Sequence, residues 1–272
     1  MLTLRAGDLE VAVAPEIGGS LQRFTIGDID VLRRGRPDLG NALHMSTFPM
    51  VPWCNRIVEA TFDWNGRLVD VGPTPELGES HGLHGHGWRW KWEVTESAPA
   101  SATLEFLHPA GRWPWRYRAV QHIEVDEGRL IQSIGMENLS DTPMPFSLGF
   151  HPWFDRPARI SANVDGVWEG EDVIPVRWRE VEAFRGFDVD HEEYDNTFTG
   201  WDGRTMIDLP NLRVQLTSDL DMLHVYTPRG RGHFAVEPTG APPGALNHPE
   251  RDDIERLEPG ASVERYMRLS IA

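Results

Sequence analysis

An all-β fold, a sandwich or barrel of mainly antiparallel sheet, is predicted by three features of the sequence. Short segments with apolar residues at every second position recur along the chain. Turn dipeptides separate them, and 26 glycines and 21 prolines cut the chain into pieces too short for long helices. There is no internal repeat, low-complexity tract or linker. The 272 residues (1–272) are therefore expected to form one domain, a size all-β domains reach.

The elements follow in order. LEVAVAP (9–15) alternates. VEATFDWNGRLVDV (58–71) carries Asn65-Gly66 between two alternating runs, the strongest short hairpin signal. WRWKWEVTE (88–96) alternates aromatic and polar residues, and ATLEFLH (102–108) is a further short strand. YRAVQHIEVDEGRLIQSIGMEN (117–138) reads as a long hairpin turning at Glu127-Gly128. Strands are also predicted at 143–151, 158–165, 212–217, 222–227, 232–237 and 262–271. Weak helical patterns occur only at 39–45 and in part of 176–186.

The charge balance excludes some classes of function. A formal charge of −16, with the acids dispersed, lacks the basic footprint needed for phosphate backbones or anionic lipid. No nucleic-acid or membrane partner is therefore expected, and the sequence does not specify an oligomeric state. The basic residues are arginines apart from Lys91, which leaves little scope for Schiff-base chemistry. The single cysteine, Cys54, rules out an internal disulfide and suits a reducing compartment. With no leader peptide and no apolar run of about 18 residues, the expected location is the cytoplasm.

Five loop stretches place charged or imidazole groups among aromatics, glycine and proline. They are VPWCNRI (51–57), GLHGHGW (82–88), SLGFHPWF (147–154), EYDNTFTGW (193–201) and AVEPTGAPPGALN (235–247). Aromatic rings beside polar groups suit sugars, whose C–H faces stack on the ring while hydroxyls take the hydrogen bonds. The competing interpretation is that tryptophan is a strand former and most of the 11 belong to the core. Glu237 and His151 each end an apolar strand before a proline. Burying Arg56 would require partners. His81, His84 and His86, threaded on glycine, suggest either a metal site or one proton-transferring imidazole. A cupin-type metal motif fits poorly: no acid follows His84-x-His86 until Glu93. A non-catalytic carbohydrate-binding protein is a further alternative, but it would not need both Glu237 and His151.

Taken in chain order, these stretches resemble the aldose 1-epimerase (galactose mutarotase) family. The resemblance rests on Asn55-Arg56, Leu83-His84-Gly85, His151-Pro152-Trp153-Phe154, Asp195 with Phe198, and Glu237-Pro238 running to Asn247, from about 50 to 250. It implies a large antiparallel β-supersandwich of the galactose mutarotase-like type and an isomerase interconverting the α and β anomers of an aldose. On that resemblance Glu237 is the general base at the C1 hydroxyl and His151 the general acid at the ring oxygen. His84 is a second donor there, and Asn55, Arg56 and Asp195 hold hydroxyls. No metal, nucleotide or electron carrier is required. The chain departs from the family at His86, where glycine is common, and at Trp153 and Asp155. Trp153 is expected to contact substrate, His86 either to contact substrate or to face solvent, and the choice of sugar, including a phosphorylated or otherwise modified hexose, stays open.

Overall fold

The computed structural model describes residues 1–171, 174–248 and 254–272. Antiparallel sheet dominates, and among the described residues the only helical elements are single 3-10 turns. A nine-stranded sheet runs in the order Glu93–Ala98, Ser101–His108, Tyr117–Asp126, Arg129–Asn138, Ser262–Ile271, Arg213–Ser218, Arg204–Asp208, Arg159–Ala162 and Phe184–Asp188. An eight-stranded sheet contains Ile174–Glu180, Gly166–Glu171, Asp195–Thr199, Met222–Tyr226, His233–Thr239, Gly149–Phe150 and Pro49–Met50, with Trp153–Asp155 pairing beside them. Four N-terminal strands, from Leu2–Ala6 to Ile29–Asp30, form a further sheet. This is the large β-sandwich expected.

Both predicted hairpins form, turning at Asn65-Gly66 and Glu127-Gly128. The helical patterns do not. Residues 39–45 hold only the end of one 3-10 turn, Pro37–Leu39, and a separate one, Ala42–His44, with Gly40 in a left-handed conformation between them. The segment 176–186 falls in two strands, Ile174–Glu180 and Phe184–Asp188, near the sheet margins. In 88–96 the strand begins only at Glu93. Upstream of it, the indole N–H groups of Trp88 and Trp92 donate to the carbonyls of Leu83 and Gly87, which holds a 3-10 turn at Gly87–Arg89.

The feature that positions chemistry is the two-residue period of the eight-stranded sheet. One face of its central strands carries Phe154, Phe198, Leu223, Val225, Phe234 and Val236, all closed off in the core. The alternate residues lie on the other face. The antiparallel register sets Thr197 opposite His224 and His224 opposite Glu237. Two residues along each strand, Asp195, Tyr226, Ala235 and Trp153 form a second row. Directly opposed residues are the closest side-chain neighbours a sheet offers. A run of aliphatic strands thereby delivers an Asp, a His and a Glu to one patch.

Candidate active site

These two rows floor a cavity of about 560 Å³, within the range typical of small-molecule sites. His151 joins them from the strand end Gly149–Phe150, its backbone N–H donating to Phe48. Its Nε2 lies 3.3 Å from the Glu237 Oε1, and both side chains are buried. Phe48 stacks on the His151 ring at 4.6 Å, and Trp153 packs against it at the same centroid distance. The remaining heteroatoms of the pair, His151 Nδ1 and Glu237 Oε2, have no hydrogen-bond partner in the protein. A buried carboxylate oxygen left unpaired is costly to folding, and this one borders the cavity.

The opposite wall is made by two loops zipped together, with Arg56 paired to Leu83 and Ile57 to Gly82. Asn55 and His84 both adopt left-handed backbone (φ 58° and 57°), a conformation that non-glycine residues enter at a cost. They hold each other there. His84 N–H donates to the Asn55 carbonyl, and Asn55 N–H donates to His84 Nδ1, both at 3.0 Å. The second bond fixes the tautomer: Nδ1 accepts, so neutral His84 carries its proton on Nε2 and can only donate from it. Its ring stands edge-on to His151 at 5.2 Å. Gly85 has to be glycine. At φ 69°, a Cβ would sit 2.1 Å from the Val51 carbonyl oxygen, which receives the His86 and Gly87 N–H groups. Gly85→Ala is therefore expected to cost more than about 1 kcal/mol. It should also disturb the adjacent His84, so thermal melting and sugar binding measured on the same variant should both suffer.

Electrostatics complete the arrangement. Burial raises the Glu237 carboxyl to about 7, against the pull of His224 in the opposite sense. Burial, then the field of His224, pushes His151 down to about 3. His84 is held well below its ordinary value by burial and by His151. His224 behaves differently. Burial opposes its charge, but Glu237 and Asp195 outweigh that and raise it. Its Nε2 is 3.0 Å from Asp195 Oδ1, and its Nδ1 meets Thr197 Oγ1 at 2.8 Å and Asn55 Nδ2 at 3.3 Å. Arg56 makes a bidentate pair with Glu79 at 2.9 and 3.0 Å, and its Nη1 lies 3.9 Å from Asp195. His84, His151 and Glu237 also offer ligand atoms within 4.8 Å of one another, a set that would accept a divalent ion. A metal would draw on the same three groups as the proton chemistry.

Of the residues singled out in the sequence, Asn55, Arg56, His84, His151, Trp153, Asp195 and Glu237 all line this cavity. His86 does not. Gly85 turns the chain so that His86 points away from the cavity into an aromatic cluster. There it stacks on His108 at 4.4 Å, stands edge-on to Trp53 at 5.1 Å and meets the Tyr117 hydroxyl at 3.2 Å. Substrate contact by His86 is withdrawn on that geometry. Burial, then His108, lowers it to about 3, so below its ordinary 6.5 the unfolded chain binds a proton that the native one refuses. Stability is thus lost as pH falls through 6.5 toward 3. His86→Phe should flatten that loss in melts across this window and leave sugar binding unchanged. Asn247 staples the wall rather than lining the cavity: its side chain accepts from Val58 N–H and donates to the Thr61 carbonyl. Cys54 is buried with a raised thiol pKa, as a core filler should be.

Residues not anticipated also line the cavity, among them Arg33, Glu79, His224, Tyr226, Arg231 and His233. A histidine within the apolar strand MLHVY looks like core. Only its opposition to Glu237 across the ladder shows otherwise.

Comparison with known proteins shows the family and the fold. The family model for aldose 1-epimerase matches residues 1–270, and the chain belongs to that family. It is 27% identical over 288 residues to the uncharacterised protein YphB of Escherichia coli K12, covering 99% of this chain and 98% of that one. The crystal structure of a candidate aldose 1-epimerase from Escherichia coli K12 superposes with a TM-score of 0.90 at 27% identity, over 99% and 98% of the two chains. A GalM/aldose epimerase homologue from C. elegans shares the fold at a TM-score of 0.84 and 17% identity, over 100% of this chain and 98% of that one.

Proposed function

We propose that the protein is a mutarotase, interconverting the α and β anomers of an aldose by general acid–base ring opening at C1. The observation that carries this is the buried Glu237–His151 contact at 3.3 Å, a carboxylate and an imidazole side by side in the cavity lining. Anomer exchange needs a proton removed from the C1 hydroxyl while another is delivered to the ring oxygen. Ionised Glu237 accepts the first and protonated His151 supplies the second. The C1–O5 bond breaks, the aldehyde rotates, and closure on its other face returns both protons. His84, a fixed Nε2 donor, steadies charge at the ring oxygen. Trp153 offers a face to the sugar's C–H groups, and Asn55, Arg56 and Asp195 take hydroxyls. Acid–base help of this kind contributes roughly 10²–10⁴-fold per transfer.

The test is the rate of anomer exchange for several aldoses, by NMR or polarimetry, with EDTA present. Activity that survives chelation is expected. Loss of activity on chelation, with one equivalent of metal recovered from the protein, would instead assign His84, His151 and Glu237 as ligands. Binding without exchange for every sugar would make the protein a carbohydrate-binding member of its fold.

A further inference from the structure

The charges of the cavity do not balance. Its three carboxylates are each matched within the wall: Glu79 by Arg56, Asp195 by His224, and Glu237 by His151. Two further guanidinium groups, Arg33 and Arg231, line the same cavity and take part in no ion pair or hydrogen bond through their side chains among the described residues. In a chain with 42 acidic and 26 basic residues, carboxylates to neutralise them would be easy to supply. Asp155 feels the field of Arg33 without forming an ion pair with it. The excess positive charge is therefore local and lies against the overall charge of the molecule.

Its position is as informative as its sign. The Arg33 backbone N–H donates to the Trp153 carbonyl at 2.8 Å, tying that residue to the aromatic wall. Arg231 lies in the turn between the strands Met222–Tyr226 and His233–Thr239, just before His233. His233 stands edge-on to Trp153 at 5.0 Å. Burial, then Arg33, Arg231 and Arg156, holds it down to about 4, which registers a positive field at this end of the cavity. His233 and Glu237 are on the same strand and face, four residues apart, or about 13 Å along the strand. Arg33 and Arg231 line the cavity with His233 and Glu237, so a hexose with one further substituent is long enough to reach from one to the other.

Resting on the mutarotase reading, we propose that the Arg33–Arg231 end of the cavity receives an anionic substituent. The substrate class is then an aldose bearing a phosphate or carboxylate at the end remote from C1. Planar guanidinium forks match either group with paired, charge-assisted bonds, and Trp153 with Tyr226 packs the ring between that end and the acid–base pair.

The experiment compares kcat/KM for anomer exchange of glucose 6-phosphate, galactose 6-phosphate, glucuronate and galacturonate with that of glucose and galactose. It uses the parent and the Arg33→Gln/Arg231→Gln double variant. In the parent, one anionic class should exceed its neutral counterpart at least tenfold, and the class that does so identifies phosphate or carboxylate. In the double variant that ratio should fall toward unity, and raised salt should lower it in the parent. Equal or better use of the neutral sugars by the parent would overturn the anionic subsite and leave the mutarotase reading standing. Titration calorimetry with the same sugars separates the two failures. Binding of an anionic sugar that the double variant loses, without exchange, supports the subsite and removes turnover. No anionic sugar bound overturns the subsite.

Discussion

Glu237→Gln should lower the rate of anomer exchange at least about 100-fold, the scale of a lost general base, while making the protein more stable at neutral pH. The two effects share one cause. Native burial lifts the carboxyl from its ordinary 4.5 to about 7, so between those values the folded chain holds a proton that the unfolded chain releases. A raised folded pKa favours folding fully below 4.5, and the benefit drains away as pH climbs through 7. Above 7 the native state carries a buried negative charge with one oxygen unpaired. Glutamine keeps the shape and can still accept from His151 Nε2, but it cannot ionise. On the scale of about 1.4 kcal/mol per pKa unit, the variant should gain up to about 3 kcal/mol at pH 8 relative to parent and less than about 1 kcal/mol at pH 5. Melting curves at the two pH values, run beside the rate assay, check this. An unchanged exchange rate would remove Glu237 as the base, and a fall in melting temperature at pH 8 would mean that its charge is compensated in the fold.

The pH dependence is the second large effect, and its sign comes from counting protons. In the proposed mechanism, ring opening begins with Glu237 ionised and His151 protonated, and it ends with Glu237 protonated and His151 neutral. At every stage the pair holds one proton. Because the two groups touch, they titrate as a unit, and the working form is whichever state of that unit carries a single proton. Burial places that window between about 3, where a second proton enters, and about 7, where the last one leaves. With solution catalysis subtracted, kcat/KM is expected to be level on the acid side of neutrality and to fall about tenfold per unit above 7. A rate that rose through 7 would mean that the carboxylate works with a different acid. His84 and His224 are the imidazoles near enough to supply one.

Much of this was legible from residue types alone, and what was missed has a physical pattern. Strands with a buried face announced themselves by alternation, as in LEVAVA and the long pair 117–138. Ile174–Glu180 did not: Ile174, Val176 and Trp178 alternate, but Pro175 interrupts the run and most of its residues, Val176 and Trp178 included, face solvent at a sheet edge. Glu237, His151 and His84 stood out because each is polar in an otherwise apolar or glycine-rich setting. His224 did not: within MLHVY it looks like core, and its meaning depends on register, which a single strand does not contain. His86 was misassigned for a related reason. Three histidines on a glycine thread look equivalent, and only the left-handed turn at Gly85 sends one into the cavity and the next into an aromatic cluster behind it. Arg33 and Glu79 come from loops remote in sequence, and only folding brings them to the cavity.

The cross-strand rows have one more consequence. Asp195, His224 and Glu237 are held by hydrogen-bonded neighbours inside a sheet, whereas Arg33 lies just outside a strand and Arg231 in a turn. The proposed reaction would thus be anchored in the part of the molecule least able to drift, and the proposed sugar choice in the parts that tolerate replacement most easily. Such a scaffold can be retargeted by exchanging the 33–36 segment or the 227–232 turn, with the proton machinery left in register beneath it.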